Sequence, residues 1–273
     1  MTRAVAEEAA GEPRRRVVLL GASNLARGMT AALPLASRMW SGPVDIFGAF
    51  GHGRSYGKSS SVCFRQLPGI IQCGLWDHLH SCPPSPTAAL ITDIGNDLLY
   101  NAEVEQIADW INQCLLQLSQ LDAKIVLTEL PLHSVASLGR WQYRFFRTLF
   151  FPPCRIDLPE MVARVRALNA RIIQIGRSRG ATILKPKPEW YGVDPIHIRQ
   201  RSYAAAWTHF FQHWNESPHS LDSPIHASYP GRSIPLWVYL RTRRPLERRW
   251  IGLTQRRLQP CCHLNNGSTL SLF

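Results

Sequence analysis

The chain has 273 residues, 45% of them hydrophobic and 18% charged, a globular composition at a length that allows one large domain or two small ones. No run approaches the roughly 18 apolar residues of a membrane span, and the polar residues 1–16 lack the apolar core of a secretory signal, which points to the cytoplasm. The net charge is +12, and residues 231–259 hold eight arginines against one glutamate, so most of the excess lies near the C-terminus.

Residues 1–15 read as a disordered leader. Residues 17–20 form a short apolar run ending at Gly21, the signature of a buried strand. Residues 24–38 follow with helical character, bent or interrupted by Pro34, and residues 44–50 read as a second strand. Gly48, Gly51, Gly53 and Gly57 mark a loop that needs unusual backbone angles or close approach. Residues 63–80 read as helical with a break at Pro68-Gly69, and residues 87–94 as a third strand. Val104, Ile107, Ala108, Ile111, Leu115 and Leu118 share one face of the clearest helix. A fourth strand covers 124–130. Residues 139–151 are rich in aromatics and suit a lid or a surface helix. Val162, Val165, Leu168, Ile172 and Ile175 give another amphipathic helix, residues 181–184 a fifth strand, and residues 198–214 a last helix.

Strands alternating with helices imply a parallel sheet covered on both faces. The expected architecture is therefore a three-layer α/β/α sandwich on a five-stranded parallel sheet, over residues 16–215. Residues 216–273 form an Arg-rich extension. Within it, residues 234–240 look strand-like, and Asn266-Gly267 suits the turn of a β-hairpin. The arginines can meet nucleic acid, a membrane surface or an acidic partner, or lie over the main domain. Seven cysteines, an odd number without a signal peptide, argue for reduced thiols. Neither Cys73, His78, His80 and Cys82 nor Cys261, Cys262 and His263 has the paired spacing of a structural zinc site.

In such a sheet ligands sit at the carboxyl ends of the strands. Four residue groups fall there: Gly21-Ala22-Ser23-Asn24, Gly51-His52-Gly53, Gly95-Asn96-Asp97 and Asp194-Pro195-Ile196-His197. Acyl transfer needs a nucleophilic hydroxyl, a base within reach, a group that orients the base, and donors for the developing oxyanion. Ser23 supplies the hydroxyl, His197 the base and Asp194 the orienting carboxylate. The oxyanion donors are the Ser23 N–H, the Gly51 N–H and the Asn96 amide. Taken singly, Ser23 can cap a helix, Asp194-Pro195 can start one, and Gly51 and Asn96 can be turn residues. Their shared location on one sheet edge favours the catalytic reading.

These blocks resemble those of the SGNH hydrolases, the GDSL esterase/lipase family, whose Ser, Gly, Asn and His occur in this order. Ser23 matches the first block within V-V-L-L-G-A-S-N, Gly51 the second, Asn96 the third within I-G-N-D, and Asp194 and His197 the fourth within D-P-I-H. The resemblance spans roughly residues 16–214. It implies a flavodoxin-like sandwich and hydrolysis of a small-molecule acyl ester without metal or organic cofactor. Ala22 stands where the family usually has the aspartate of Gly-Asp-Ser. That aspartate is not the triad acid, so its loss should alter loop support more than chemistry.

His52, Arg54 and Arg27 flank the proposed site and can bind a carboxylate or phosphate of the substrate, or be solvated loop charges. Trp141, Tyr143, Phe145 and Phe146 can line an acyl pocket, form a lid or pack in the core. Two rival readings remain: a phosphate or nucleotide binder using the Gly21–Gly28 turn, and an Arg-tailed interaction protein on a degenerate hydrolase scaffold.

Overall fold

A computed structural model describes residues 14–62, 64–152, 154–214 and 236–273, without the side chains of residues 150, 237, 239 and 241. The expected leader lies outside the described residues except for Arg14 and Arg15, and so does Cys63.

The first βα unit is β1 (Arg15–Leu20) and α1 (Ser23–Ala36), followed by β2 (Val44–Ala49). Two short strands come next, β3 (Ser60–Val62) and β4 (Arg65–Leu67), then α2 (Leu75–Ser81) and β5 (Thr87–Ile91). The chain continues through α3 (Asn96–Leu99), α4 (Val104–Ser119), β6 (Lys124–Thr128), α5 (Leu132–Ala136) and α6 (Arg140–Phe150). Then come α7 (Leu158–Ser178), β7 (Thr182–Leu184) and α8 (Tyr203–Phe211). The C-terminal part holds α9 (Leu236–Arg241), β8 (Glu247–Trp250), β9 (Leu253–Arg256), β10 (Cys262–His263) and β11 (Thr269–Leu272).

Five strands pair in parallel in the order β2-β1-β5-β6-β7, the sheet expected from the sequence. Side chains alternate across it, because successive residues of a strand point to opposite faces. Val18 and Leu20 of β1 join one core with Ile111 and Leu115 of α4 and Leu168 and Ile172 of α7. Val17 and Leu19 join the other core with Leu25, Met29 and Leu33 of α1 and Trp207 and Phe210 of α8. Three layers result. Among the described residues, no helix is long and apolar enough to cross a membrane.

The sheet has seven strands, not five. β11 pairs in parallel with β2 through Thr269–Asp45, Leu270–Ile46, Ser271–Phe47 and Leu272–Gly48, and β10 closes the edge antiparallel to β11. The expected hairpin is present, and Gly267 turns it at φ +82°, a conformation glycine adopts without steric cost. The arginine-rich segment also enters a second, antiparallel sheet of order β3-β4-β8-β9. There Arg248 is buried, donates to Gln255 Oε1 at 2.8 Å and stacks 5.3 Å above Trp250.

Two expectations need correction. The helix expected over 63–80 is strand β4, a 3-10 turn at Ile70–Gln72 and only then α2, because Arg65 and Gln66 pair with Trp250 and Arg249 of a strand distant in sequence. The strand expected over 234–240 is helix α9 from Leu236 onward. Periodicity alone does not separate a short apolar strand from a short helix, and α9 packs along α1, with Leu240 against the core under that helix.

Candidate active site

The sheet order reverses at β1, which has β2 on one side and β5 on the other, so the crevice beyond the end of β1 is the place for a ligand. Gly21 makes the turn out of β1. A Cβ there would lie 2.7 Å from Leu25 Cδ1 and 2.9 Å from Thr92 Cγ2, so any larger residue would force these side chains to shift. The turn delivers Ser23 as the first residue of α1, nearly buried.

His197 comes to Ser23 from 174 residues away, on the loop that follows β7. Its Nδ1 lies 2.6 Å from Asp194 Oδ2, which places the ring proton on Nδ1 and leaves Nε2 to accept from Ser23 Oγ at 2.9 Å. The other Asp194 oxygen accepts from the Ile196 and His197 N–H groups at 3.2 Å each. One carboxylate thus shapes the turn and orients the imidazole. Burial opposes the charge on Asp194, but the hydrogen bond and charge of His197 and the two N–H donors outweigh it and hold its pKa below the ordinary carboxylate value.

Helix α1 has no capping side chain at Ala22 and no acid in its first turn, yet three of the amides around its start find an acceptor. Asp93, just past β5, reaches across. Its Oδ2 accepts from the N–H of Ala22 at 3.0 Å, Asn24 at 2.9 Å and Leu25 at 3.3 Å, and its Oδ1 from Asn24 Nδ2 at 2.7 Å. Asp93 has φ +59°, in the left-handed region that Asp and Asn tolerate better than most residues. Asn24 passes the connection on. Its Nδ2 also donates to Ile196 O at 2.9 Å, and its Oδ1 accepts from Ile198 N at 2.7 Å. These two bonds bracket His197. Sequence reasoning missed Asp93, whose one local signal is an αL-tolerant acid just after a strand. The Asp93 carboxylate thereby takes three of the backbone N–H groups on which the phosphate-binding reading of the Gly21–Gly28 segment relies.

The third block is held from below. Asp97 is buried, and its carboxylate accepts from the Ser55 hydroxyl and from Tyr56 N at 3.0 Å. Burial pushes its pKa up to about 6, against those two donors. Asn96 and Ser23 line one cavity of about 100 Å³. Its walls are mainly apolar, with Ile94, Leu130, Val135, Met161, Tyr143 and Phe146 among them. Asn96 Nδ2 lies 3.4 Å from Arg54 O, at the outer limit of a hydrogen bond.

The other expected residues separate. Gly51 is buried at the end of the second block, outside the cavity lining, and its carbonyl accepts from Arg54 N at 3.1 Å. Arg54 is not a substrate-facing charge, and that expectation is corrected. It is fully buried, donates to Pro68 O at 3.2 Å and to Phe273 O, and burial lowers its pKa. His52 is exposed and lies outside the lining, its carbonyl accepting from Arg65 Nη2 at 3.3 Å. Arg27 does not line the cavity either. Its Nη1 is 3.9 Å from Asp194 Oδ2. Of the four aromatics, Tyr143 and Phe146 line the cavity, whereas Trp141 and Phe145 face solvent. Among the described residues no group of three or more His, Cys, Asp or Glu converges to hold a metal ion.

No protein-family model matches the chain, and no curated protein matches it. Solved structures do. One aligns with a TM-score of 0.50 at 14% identity, over 72% of this chain and 96% of that one. A carbohydrate acetylesterase from Sinorhizobium meliloti aligns at 0.49 and 13% identity, over 73% and 97% of the two chains. A member of the lipolytic G-D-S-L family from Veillonella parvula aligns at 0.48 and 11%, over 72% and 98%. At such identities the likeness is one of fold alone.

Proposed function

We propose that this chain, with the sandwich of the SGNH hydrolases, is a serine hydrolase that cleaves an ester or related acyl bond. The observation that carries the reading is the unbroken relay Asp194 Oδ2–His197 Nδ1 at 2.6 Å and His197 Nε2–Ser23 Oγ at 2.9 Å, opening on an apolar cavity. Ser23 attacks the acyl carbonyl while His197 takes the hydroxyl proton. Asp194 stabilises the imidazolium, and the tetrahedral oxyanion is met by the Ser23 N–H and the Asn96 amide, both in the cavity lining, with the Gly51 N–H, from outside that lining, as the third proposed donor. Collapse expels the alcohol, which takes the proton back from His197. Water activated by His197 then attacks the acyl-serine, and a second collapse frees the acid and restores Ser23.

Two features support the donor assignment. Asp93 takes the N–H groups of Ala22, Asn24 and Leu25, and the Ser23 N–H between them has no acceptor among the described residues. The Gly51 N–H has none either. The mainly apolar walls suit an apolar acyl group.

The test is intact mass after incubation with a fluorophosphonate probe. A single adduct is expected on the wild type and none on Ser23→Ala. Near-normal ester turnover by purified Ser23→Ala would sink the assignment.

A further inference from the structure

Helix α6 is apolar on two sides. Its inner side carries Tyr143, which is buried, and Phe146, both lining the cavity beside Ser23. Its outer side carries Trp141, Phe145 and Leu149, which are 82%, 62% and 58% exposed. Their spacing of i, i+4, i+8 places them in one stripe along the helix. A helix on a globular surface ordinarily turns charged residues outward, so a large exposed apolar stripe marks an interaction site.

Three observations define its partner. First, the helix sequence R-W-Q-Y-R-F-F-R-T-L-F contains no acid, and the exposed Arg140 and Arg144 flank the stripe on one side. An apolar stripe edged by arginines is the pattern of a helix lying in a membrane interface, its rings among acyl chains and its guanidinium groups at anionic headgroups. Second, the stripe is continuous with the cavity wall. The ring of exposed Phe145 packs edge-on against cavity-lining Phe146, with centroids 5.6 Å apart. Third, it borders the catalytic loop. Gln142 Nε2 donates to Val193 O at 2.8 Å, and Val193, 78% exposed, immediately precedes Asp194.

We infer that α6 is a docking element that seats the protein on an anionic phospholipid surface, with its outer stripe in the interface and its inner face roofing the acyl cavity. Docking does not require the hydrolase reading. The benefit to catalysis, delivery of a lipid acyl chain past Phe145 and Phe146, rests on it.

The experiment keeps the two apart by using full-length Ser23→Ala protein and a binding readout. Co-sedimentation is measured with vesicles of phosphatidylcholine alone and with about 30% phosphatidylglycerol added. Binding is expected to the anionic vesicles and only weakly to the neutral ones. The triple exposed-face variant Trp141→Gln/Phe145→Gln/Leu149→Gln should weaken binding about ten-fold or more. Arg140→Gln/Arg144→Gln should weaken binding to anionic vesicles about ten-fold and leave the neutral ones unaffected. Unaltered thermal melts of both variants confirm their folding. Absence of wild-type binding, or triple-variant binding equal to wild type, overturns the proposal; the latter assigns attachment to the arginine-rich segment. Light scattering that shows a dimer dissociated by the triple variant also overturns it, because the stripe would then be covered by a second copy.

Discussion

The aspartate that holds the turn carrying Ser23 is not in that turn, and its replacement is the most informative perturbation. Asp93→Ala removes the acceptor of the Ala22, Asn24 and Leu25 amides and of the Asn24 side chain. Loss of a helix cap costs about 1–2 kcal/mol. Loss of the charge at a helix N-terminus costs about 0.3–2 kcal/mol. Alanine at φ +59° adds about 1 kcal/mol of left-handed strain. The terms overlap, and a total of about 3 kcal/mol is expected, equivalent to about 6–12 °C in Tm for a chain of this size. Three substitutions separate the terms. Asp93→Asn keeps a left-handed-tolerant residue and one acceptor oxygen and should lose only about 1 kcal/mol. Asp93→Gly relieves the backbone but offers no acceptor, and should fall between Asn and Ala.

The catalytic readout is sharper than the melt. Asn24, once released from Asp93, no longer fixes both sides of His197, so Ser23 and His197 lose register together. A displacement of about 1 Å in such a relay costs about 10²-fold in rate, and the rate of fluorophosphonate labelling of Ser23 should fall by that order in Asp93→Ala. If Asp93→Ala melts within about 1 °C of wild type and labels at the same rate, the carboxylate does not organise the site.

Asn96→Ala should lower ester turnover about 10²–10³-fold if its amide meets the oxyanion, with KM changing far less, and an unchanged kcat would remove it from that role. Asp97 carries a pH signature. Its folded pKa of about 6 lies above the ordinary 3.8, so the native state binds the extra proton between roughly pH 4 and 6, and stability from this group rises as pH falls through that window. Two pH units at 1.36 kcal/mol each give about 3 kcal/mol, and urea melts of Asp97→Asn should lose that slope while wild type keeps it; parallel slopes refute the burial argument. Gly28→Ala should destabilise by about 1–3 kcal/mol in denaturant melts, although alanine favours helices, because its Cβ would lie 2.3 Å from Nε1 of fully buried Trp207 where α1 meets α8. A variant as stable as wild type would mean that α8 shifts freely.

What the sequence made legible was local or strongly patterned. The five strands of the central sheet announced themselves as apolar runs ending in turn residues, and the helical face from Val104 to Leu118 by its period. Asn266-Gly267 specified the hairpin turn. Ser23, Asn96, Asp194 and His197 were legible because each follows a strand, and the sheet gathers strand ends on one edge. What was hidden was long-range. The pairing of Arg65 and Gln66 with Trp250 and Arg249 joins segments nearly two hundred positions apart, so β4 looked like part of a helix. Arg54 in a glycine-rich loop looked solvated, because nothing local reveals that its guanidinium will be buried against Pro68 and Phe273. Asp93 fell inside the strand expected over 87–94, whereas β5 ends at Ile91.

Asp93 also explains how Ala22 is compatible with an intact turn. The first turn of α1 exposes amides that no residue within it can satisfy, and the nearest acceptor has to come from the neighbouring strand end. β5 lies beside β1 in register, Leu20 opposite Ile91, so the residue two past β5 arrives beside the residues two to five past β1. The left-handed backbone at Asp93 turns the carboxylate back toward them. It takes the amides on both sides of Ser23 and leaves the Ser23 amide, the donor that the proposed oxyanion needs. A bare carboxylate this near a developing negative charge would oppose it. Here its lone pairs are engaged by three backbone N–H groups and one side-chain amide, donors that offset its field at the oxyanion position. Asp93→Asn therefore has two opposed effects on the chemical step, loss of rigidity and loss of a nearby negative charge. Its rate should fall less than its stability alone would suggest, whereas Asp93→Gly, lacking both charge and acceptor, should show the full cost of the loosened turn.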